Sequence, residues 1–153
     1  MAASTPRVIL LEVNGAERPV FDDRVAAAAI VPGDLIEVTA ANKVTALAGA
    51  TKIAGKLFAV EQGFSDNATN VLNIDHPYVA DEMVSYIYAQ GGDLLYARLA
   101  ASQVVAIGDV LGPSATAGCL AKQTAPGDVT SLAIAEEAVT TTGAIGRVKI
   151  RVL

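Results

Sequence analysis

Gly146-Arg147-Val148-Lys149-Ile150-Arg151-Val152-Leu153 is the stretch that decides the fold. Val148, Ile150 and Val152 alternate strictly with Arg147, Lys149 and Arg151. A period of two puts the aliphatics on one face of a strand, towards a core, and the charges on the other, facing water; a helix would scatter both sets around its circumference. Upstream the same signal recurs. Asp34 to Val38 and Lys43 to Leu47 are joined by Thr39-Ala40-Ala41-Asn42, whose Asn suits turn geometry, and predict a hairpin. Met83 to Ala89 carries Val84, Tyr86 and Tyr88 on one face, Gln90-Gly91-Gly92-Asp93 breaks it and Leu94 to Leu99 resumes, predicting a second hairpin.

Punctuation is dense between these runs. Pro32-Gly33-Asp34, Gly91-Gly92-Asp93, Gly108-Asp109, Gly112-Pro113 and Pro126-Gly127-Asp128 cut the chain into short pieces. Short strands with frequent Gly and Pro turns indicate a barrel or sandwich. Asp22 to Ala29 is the best helical alternative, with Asp22 as a cap and Pro32 as a stop, but extended structure is favoured there; Asn67 to Leu72 and the segment after Tyr78 are two further helical candidates. Gly33-Asp34 recurs 75 residues later as Gly108-Asp109, and Ala59-Val60-Glu61 recurs at the same offset as Ile134-Ala135-Glu136. The shared offset suggests two similar β-units packed together.

The chain of 153 residues suits one domain with an appendage. Apolar residues make up 52%, mainly Ala and Val, with aromatics at 5% and no Trp. A chain this apolar is expected to bury part of its surface between subunits. It has no run long enough to span a membrane, and the start, Met1-Ala2-Ala3-Ser4-Thr5, reads as no secretory signal. The net charge of −5 argues against a nucleic-acid partner, which would call for a basic patch.

Chemistry-bearing patterns do not emerge. The single histidine, His76, sits in Ile74-Asp75-His76-Pro77, which reads as a turn, and the single cysteine, Cys119, reads as a small buried apolar site. One of each cannot supply a zinc site. The acidic pairs Asp22-Asp23, Asp81-Glu82 and Glu136-Glu137 fit no calcium loop, because neighbours in a strand point to opposite faces. Phosphate-cradling glycine motifs are missing from the sequence. Tyr78, Tyr86, Tyr88 and Tyr96 read as core or interface anchors. No catalytic, cofactor-binding or metal-binding residue is therefore expected.

The N-terminal segment differs in kind. Arg7-Val8-Ile9-Leu10-Leu11-Glu12-Val13 is strongly β-prone and is followed by the tight-turn pair Asn14-Gly15. An exposed edge of this composition would aggregate, so it must pair with its own core, with a neighbouring subunit or with a partner. Arg7, Val8, Ile9, Leu10, Leu11, Glu12 and Val13 are the candidate partner-binding residues. The expected division is an arm or first strand over 1–24 and a β-barrel-like domain over 25–153.

Ile30-Val31-Pro32-Gly33-Asp34-Leu35-Ile36-Glu37-Val38 resembles the opening strand motif of the head decoration, or cement, proteins of tailed bacteriophages. Leu57-Phe58-Ala59-Val60-Glu61, Tyr86 to Leu99, Gly108-Asp109-Val110-Leu111 with Gly118-Cys119-Leu120-Ala121-Lys122, Ile134 to Ala138 and Arg147 to Val152 are similar to its later blocks, in order, from about Val25 to Leu153. The resemblance implies an all-β fold, a small β-barrel or β-tulip-like domain with an extended N-terminal arm. It implies a homotrimer on the outer capsid surface of the virion, made in the bacterial host cytoplasm. There it would bind the major capsid protein and stabilise the expanded lattice, with no catalytic residues. The alternatives are another phage structural β-module (tail, fibre or minor capsid component) or a small trimeric β-enzyme.

Overall fold

In the computed structural model, residues 8–12, 20–51, 55–62, 73–125 and 129–153 are described. Their regular structure is strand, apart from one 3-10 turn at Asn73–Asp75. In chain order the strands are β1 (Leu10–Glu12), β2 (Val20–Val25), β3 (Leu35–Val38), β4 (Val44–Ala46), β5 (Leu57–Ala59), β6 (Met83–Tyr88) and β7 (Leu94–Leu99). They continue with β8 (Val104–Val105), β9 (Val110–Pro113), β10 (Leu120–Lys122), β11 (Ala133–Ala135), β12 (Val139–Thr140) and β13 (Gly146–Val152). The all-β expectation, with a small closed barrel, holds.

The closed barrel is β7-β13-β11-β9-β10, sealed by a parallel pairing of Leu120 with Leu99. The sheet β2-β6-β5-β3-β4 has the same strand order. Its edges meet at a parallel bridge between Ala26 and Val44. The hydrogen bonds at the two seams match: Ala27 N–H to Val44 C=O at 2.8 Å, and Ala100 N–H to Leu120 C=O at 2.9 Å. The antiparallel bridge of Ile30 with Tyr78 in the first ring answers the β8–β12 pairing of Val105 with Val139 in the second. The repeat read in the sequence is thus a repeat of topology. Its strand landmark aligns one residue later than the sequence suggests: Ala59 N–H bonds Asp34 C=O as Ala135 N–H bonds Asp109 C=O, so Glu136 answers Val60.

Alternation accounts for both cores. In the first ring Ile36, Leu57, Ala59, Val84 and Tyr86 point inward and are buried together with Tyr78. Val148, Ile150 and Val152 fill the second ring, as the period of two predicts. The first ring's outer-facing Leu35, Phe58 and Ile87 join this second cluster, so the seam between the rings is apolar and continuous with the barrel core. Burying side chains of this size stabilises by about 1.5–3 kcal/mol each.

The β3–β4 hairpin forms as expected, with Asn42 at φ 59° in its turn. The second expected hairpin does not. β6 pairs with β2 and β5, whereas β7 pairs with β1, β10 and β13. The reason lies in Gln90–Asp93: only Gly92 has positive φ, at 95°, which is a type II pattern that splays strands instead of the primed turn a tight hairpin needs. The turn hands the chain from one ring to the other. Asp22 to Val25 is strand, as favoured, and the segment after Tyr78 is a turn leading into β6. Asn67 to Leu72 lies outside the described residues. The boundary expected at residue 24/25 falls within β2, which pairs along its whole length with β6.

Candidate functional site

Four turns share one construction. In Val31–Asp34, Gln90–Asp93 and Ala106–Asp109 the third residue is a positive-φ glycine, and the fourth is an Asp whose side chain accepts the N–H of the first. Val79–Glu82 repeats it with Asp81 at φ 69° and Glu82 as acceptor. An Asx-type side-chain bond of this kind locks a short turn without a longer loop.

The first of these turns is buried at the seam. Asp34 is 2% exposed. Its Oδ2 accepts the Val31 N–H at 2.8 Å, and its Oδ1 accepts Arg98 Nη1 at 3.0 Å. Arg147, paired with Arg98 across β7 and β13, donates to Pro32 C=O at 2.6 Å and to Ile74 C=O at 2.5 Å, and meets Asp75 at 3.2 Å. The Arg98 N–H bonds Gly33 C=O at 3.1 Å. Two arginines of the second ring therefore grip the turn of the first. Arg147, expected to face water, is instead turned into the seam with its side chain 14% exposed, because the other ring's carbonyls take its donors. Burial holds its guanidinium below the usual arginine range. Burial also lifts the Asp34 carboxyl above the usual range, against the pull of Arg98.

Cys119 is buried, as expected, but its neighbourhood is not simply apolar, since Asp34 and Arg98 both act on it. Burial pushes its thiol up, the opposite of activation. His76 is half-buried beside the 3-10 turn, its N–H bonding Asn73 C=O at 3.3 Å. Among the described residues no three His, Cys, Asp or Glu gather as a metal site. The acidic pairs are engaged locally: Asp22 accepts Tyr86 Oη–H at 2.9 Å, Asp81 meets Lys43 at 2.6 Å, and Glu136 meets Arg151 at 2.7 Å. Tyr78, Tyr86 and Tyr96 are buried, and the Tyr78 hydroxyl, donating to Val60 C=O at 2.8 Å, is pushed up to about 12 by burial. Tyr88, at 36% exposure, lies against Tyr86 with ring centroids 5.6 Å apart.

The candidate arm divides. Ile9 is fully buried in the seam, its N–H bonding Glu61 Oε2 at 3.0 Å and its C=O accepting the Tyr96 N–H at 2.8 Å. Leu10 is half-buried and pairs with Leu95, which makes β1 an edge strand of the molecule's own sheet. Val8, Leu11 and Glu12 are exposed. Arg7 and Val13 lie outside the described residues.

What sequence reading missed is an exposed apolar surface that no single run announces. Val104 and Ile107 are each 70% exposed on and beside the Ala106–Asp109 turn. On the first ring, Met83 and Val79 are 59% and 55% exposed beside the exposed Ala27-Ala28-Ala29. The signal was present as aliphatics sitting inside turns. No family model matches the chain, and no curated protein matches it.

Proposed function

We propose that this chain is a structural protein that acts by binding other protein surfaces: a capsid decoration protein that sits as a homotrimer on the outer surface of an expanded phage capsid and ties neighbouring copies of the major capsid protein together. What carries the reading is where the molecule keeps its exposed apolar side chains. Val104, Ile107, Val79 and Met83 stand on rigid turns and strand ends, while the charged groups are tied up in local pairs. Such a surface is made for contact with protein. The blocks that resemble decoration proteins fall in order on the strands of both rings, Leu35 to Val38 on β3 and Arg147 to Val152 on β13 among them.

The mechanism is binding free energy. If the full site exists only on the expanded lattice, occupancy stabilises that state, and a trimer touching several capsid subunits gains avidity. The edge strand β1, with Val8 and Leu11 outward, offers a place for a further strand. Deleting the arm would strip Ile9 from the seam, so point changes at Val8 and Leu11 are the sounder probe.

Co-sedimentation of the purified chain with shells before and after expansion tests the proposal. Preferential, saturable binding to expanded shells is expected. Equal binding to both forms, or binding to tails alone, would overturn it and favour another phage β-module.

A further inference from the structure

The chain makes one ring-to-ring contact and leaves the matching surfaces of that contact bare at its two ends. Within the molecule, the outer face of β7 and β13, with Arg98 opposite Arg147, covers the Val31–Asp34 turn. The second ring's own copy of that turn, Ala106–Asp109, is uncovered: Ile107 is 70% exposed, and a Cβ built on Gly108 would meet nothing within 4 Å. The first ring's copy of the covering face is β2 and β6. The seam residues Ala26 and Leu99 hold the same place in their rings, so Val25 and Met83, paired across β2 and β6, stand where Arg98 and Arg147 stand. That face too is open, with Met83 59% exposed.

The two bare surfaces also match in chemistry. Arg147 donates to Pro32 C=O inside the molecule. At the corresponding outer positions Arg147 is replaced by Met83 and Pro32 by Ile107, so a contact between a cation and a carbonyl becomes one between a thioether and an aliphatic chain. Methionine adapts its shape readily to such a neighbour. Charge agrees as well: Lys122, bound to Asp109 at 2.7 Å with its side chain 44% exposed, stands at the turn, and the exposed Asp23 stands on the receiving face.

We infer that copies of this chain associate head to tail, the Ala106–Asp109 turn of one copy seating on the outer face of β2 and β6 of the next, as the Val31–Asp34 turn seats on β7 and β13 within each chain. The two surfaces differ, so the contact is heterologous, and a rotation that closes it yields a ring of discrete mass. This deepens the self-association in the proposed function and does not depend on binding to a capsid.

The test is the mass in solution of the full chain, by light scattering on a sizing column, for wild type, Ile107→Asp, Met83→Asp and an equal mixture of the two variants. Wild type is expected at a whole multiple of 15.6 kDa, and each variant alone as a monomer. The mixture is expected to stop at a dimer, because one intact turn then meets one intact face and both outer ends are spoiled. A monomeric wild type, a variant that keeps the wild-type mass, or a mixture that stays monomeric would each overturn the inference. Should either variant lose its β-sheet circular-dichroism spectrum, Val104→Asp on the turn side and Val79→Asp on the receiving side take its place, with the same outcomes. Capsid binding is read separately by co-sedimentation, so a failure there leaves the mass result standing.

Discussion

Val31–Asp34 and Ala106–Asp109 are one turn made twice and placed in two environments. Their backbones agree closely: Gly33 at φ 91° and Gly108 at φ 89°, with an Asp side chain accepting the first residue's N–H at 2.8 Å in both. Their surroundings do not. Asp34 is sealed at the seam against Arg98, whereas Asp109 pairs with Lys122 near the surface. Burial lifts the Asp34 carboxyl above its ordinary range, while the Ala106 N–H, and then Lys122, hold the Asp109 carboxyl below it. Identical local chemistry therefore serves as a joint between rings in one place and as a surface feature in the other. The difference comes from what packs over the turn.

The largest expected contrast is at the two glycines. A Cβ on Gly33 would fall 2.6 Å from Arg147 Nη1 and 3.1 Å from Tyr96 C=O, in a left-handed backbone. Strain and overpacking together make Gly33→Ala cost roughly 3 kcal/mol. Gly108→Ala meets no neighbour and should cost only about 1 kcal/mol, from the backbone alone. Urea denaturation of both variants checks the pair, and equal losses would break the comparison.

Next in size are the arginines of β13. Arg147→Leu removes a charged donor from the Pro32 and Ile74 carbonyls and is expected to cost about 2 kcal/mol. Arg151→Leu, at an exposed pair with Glu136, should shift the urea midpoint far less. A comparable shift for both would mean that the seam is not gripped by Arg147.

The smallest effect, and the one that sharpens the contrast most, is in pH. The folded Asp34 carboxyl holds its proton more tightly than the unfolded one. Its charge therefore opposes folding at neutral pH, and stability from this group returns as pH falls through its raised folded value towards 3.8. Asp109 has the opposite sign: its contribution is present above 3.8 and is lost as pH falls through its lowered folded value. Asp34→Asn should thus change stability by no more than about 1 kcal/mol at neutral pH, since an amide keeps the acceptor, and should flatten the acid-side gain. Unfolding free energies of wild type, Asp34→Asn and Asp109→Asn across the acid range check both signs.

The turns themselves were legible in the sequence because Gly-Asp chemistry is local. So were the inward faces of β13 and β6, where Val148, Ile150, Val84 and Tyr86 alternate with polar neighbours. The pairing of β6 with β2 across more than sixty residues, in place of the adjacent β7, was not legible, because it depends on ring closure and not on any neighbouring residue. The outer faces were equally hidden. Leu35, Phe58 and Ile87 read as ordinary strand residues, yet they form the seam, and Arg147 reads as a solvated charge although it is buried against carbonyls. The candidate arm was legible as a strand, but the burial of Ile9 between the rings was not, since both walls of its site come from distant segments.

Paired double-mutant cycles test the contrast between the two turns most directly, one over Arg98 and Asp34 and the other over Lys122 and Asp109, read as unfolding free energies. A coupling of about 2 kcal/mol is expected for the first pair, where removing either partner strands the other in the seam. A coupling indistinguishable from zero is expected for the second. Equal couplings would contradict the account, because they would place both turns in the same environment.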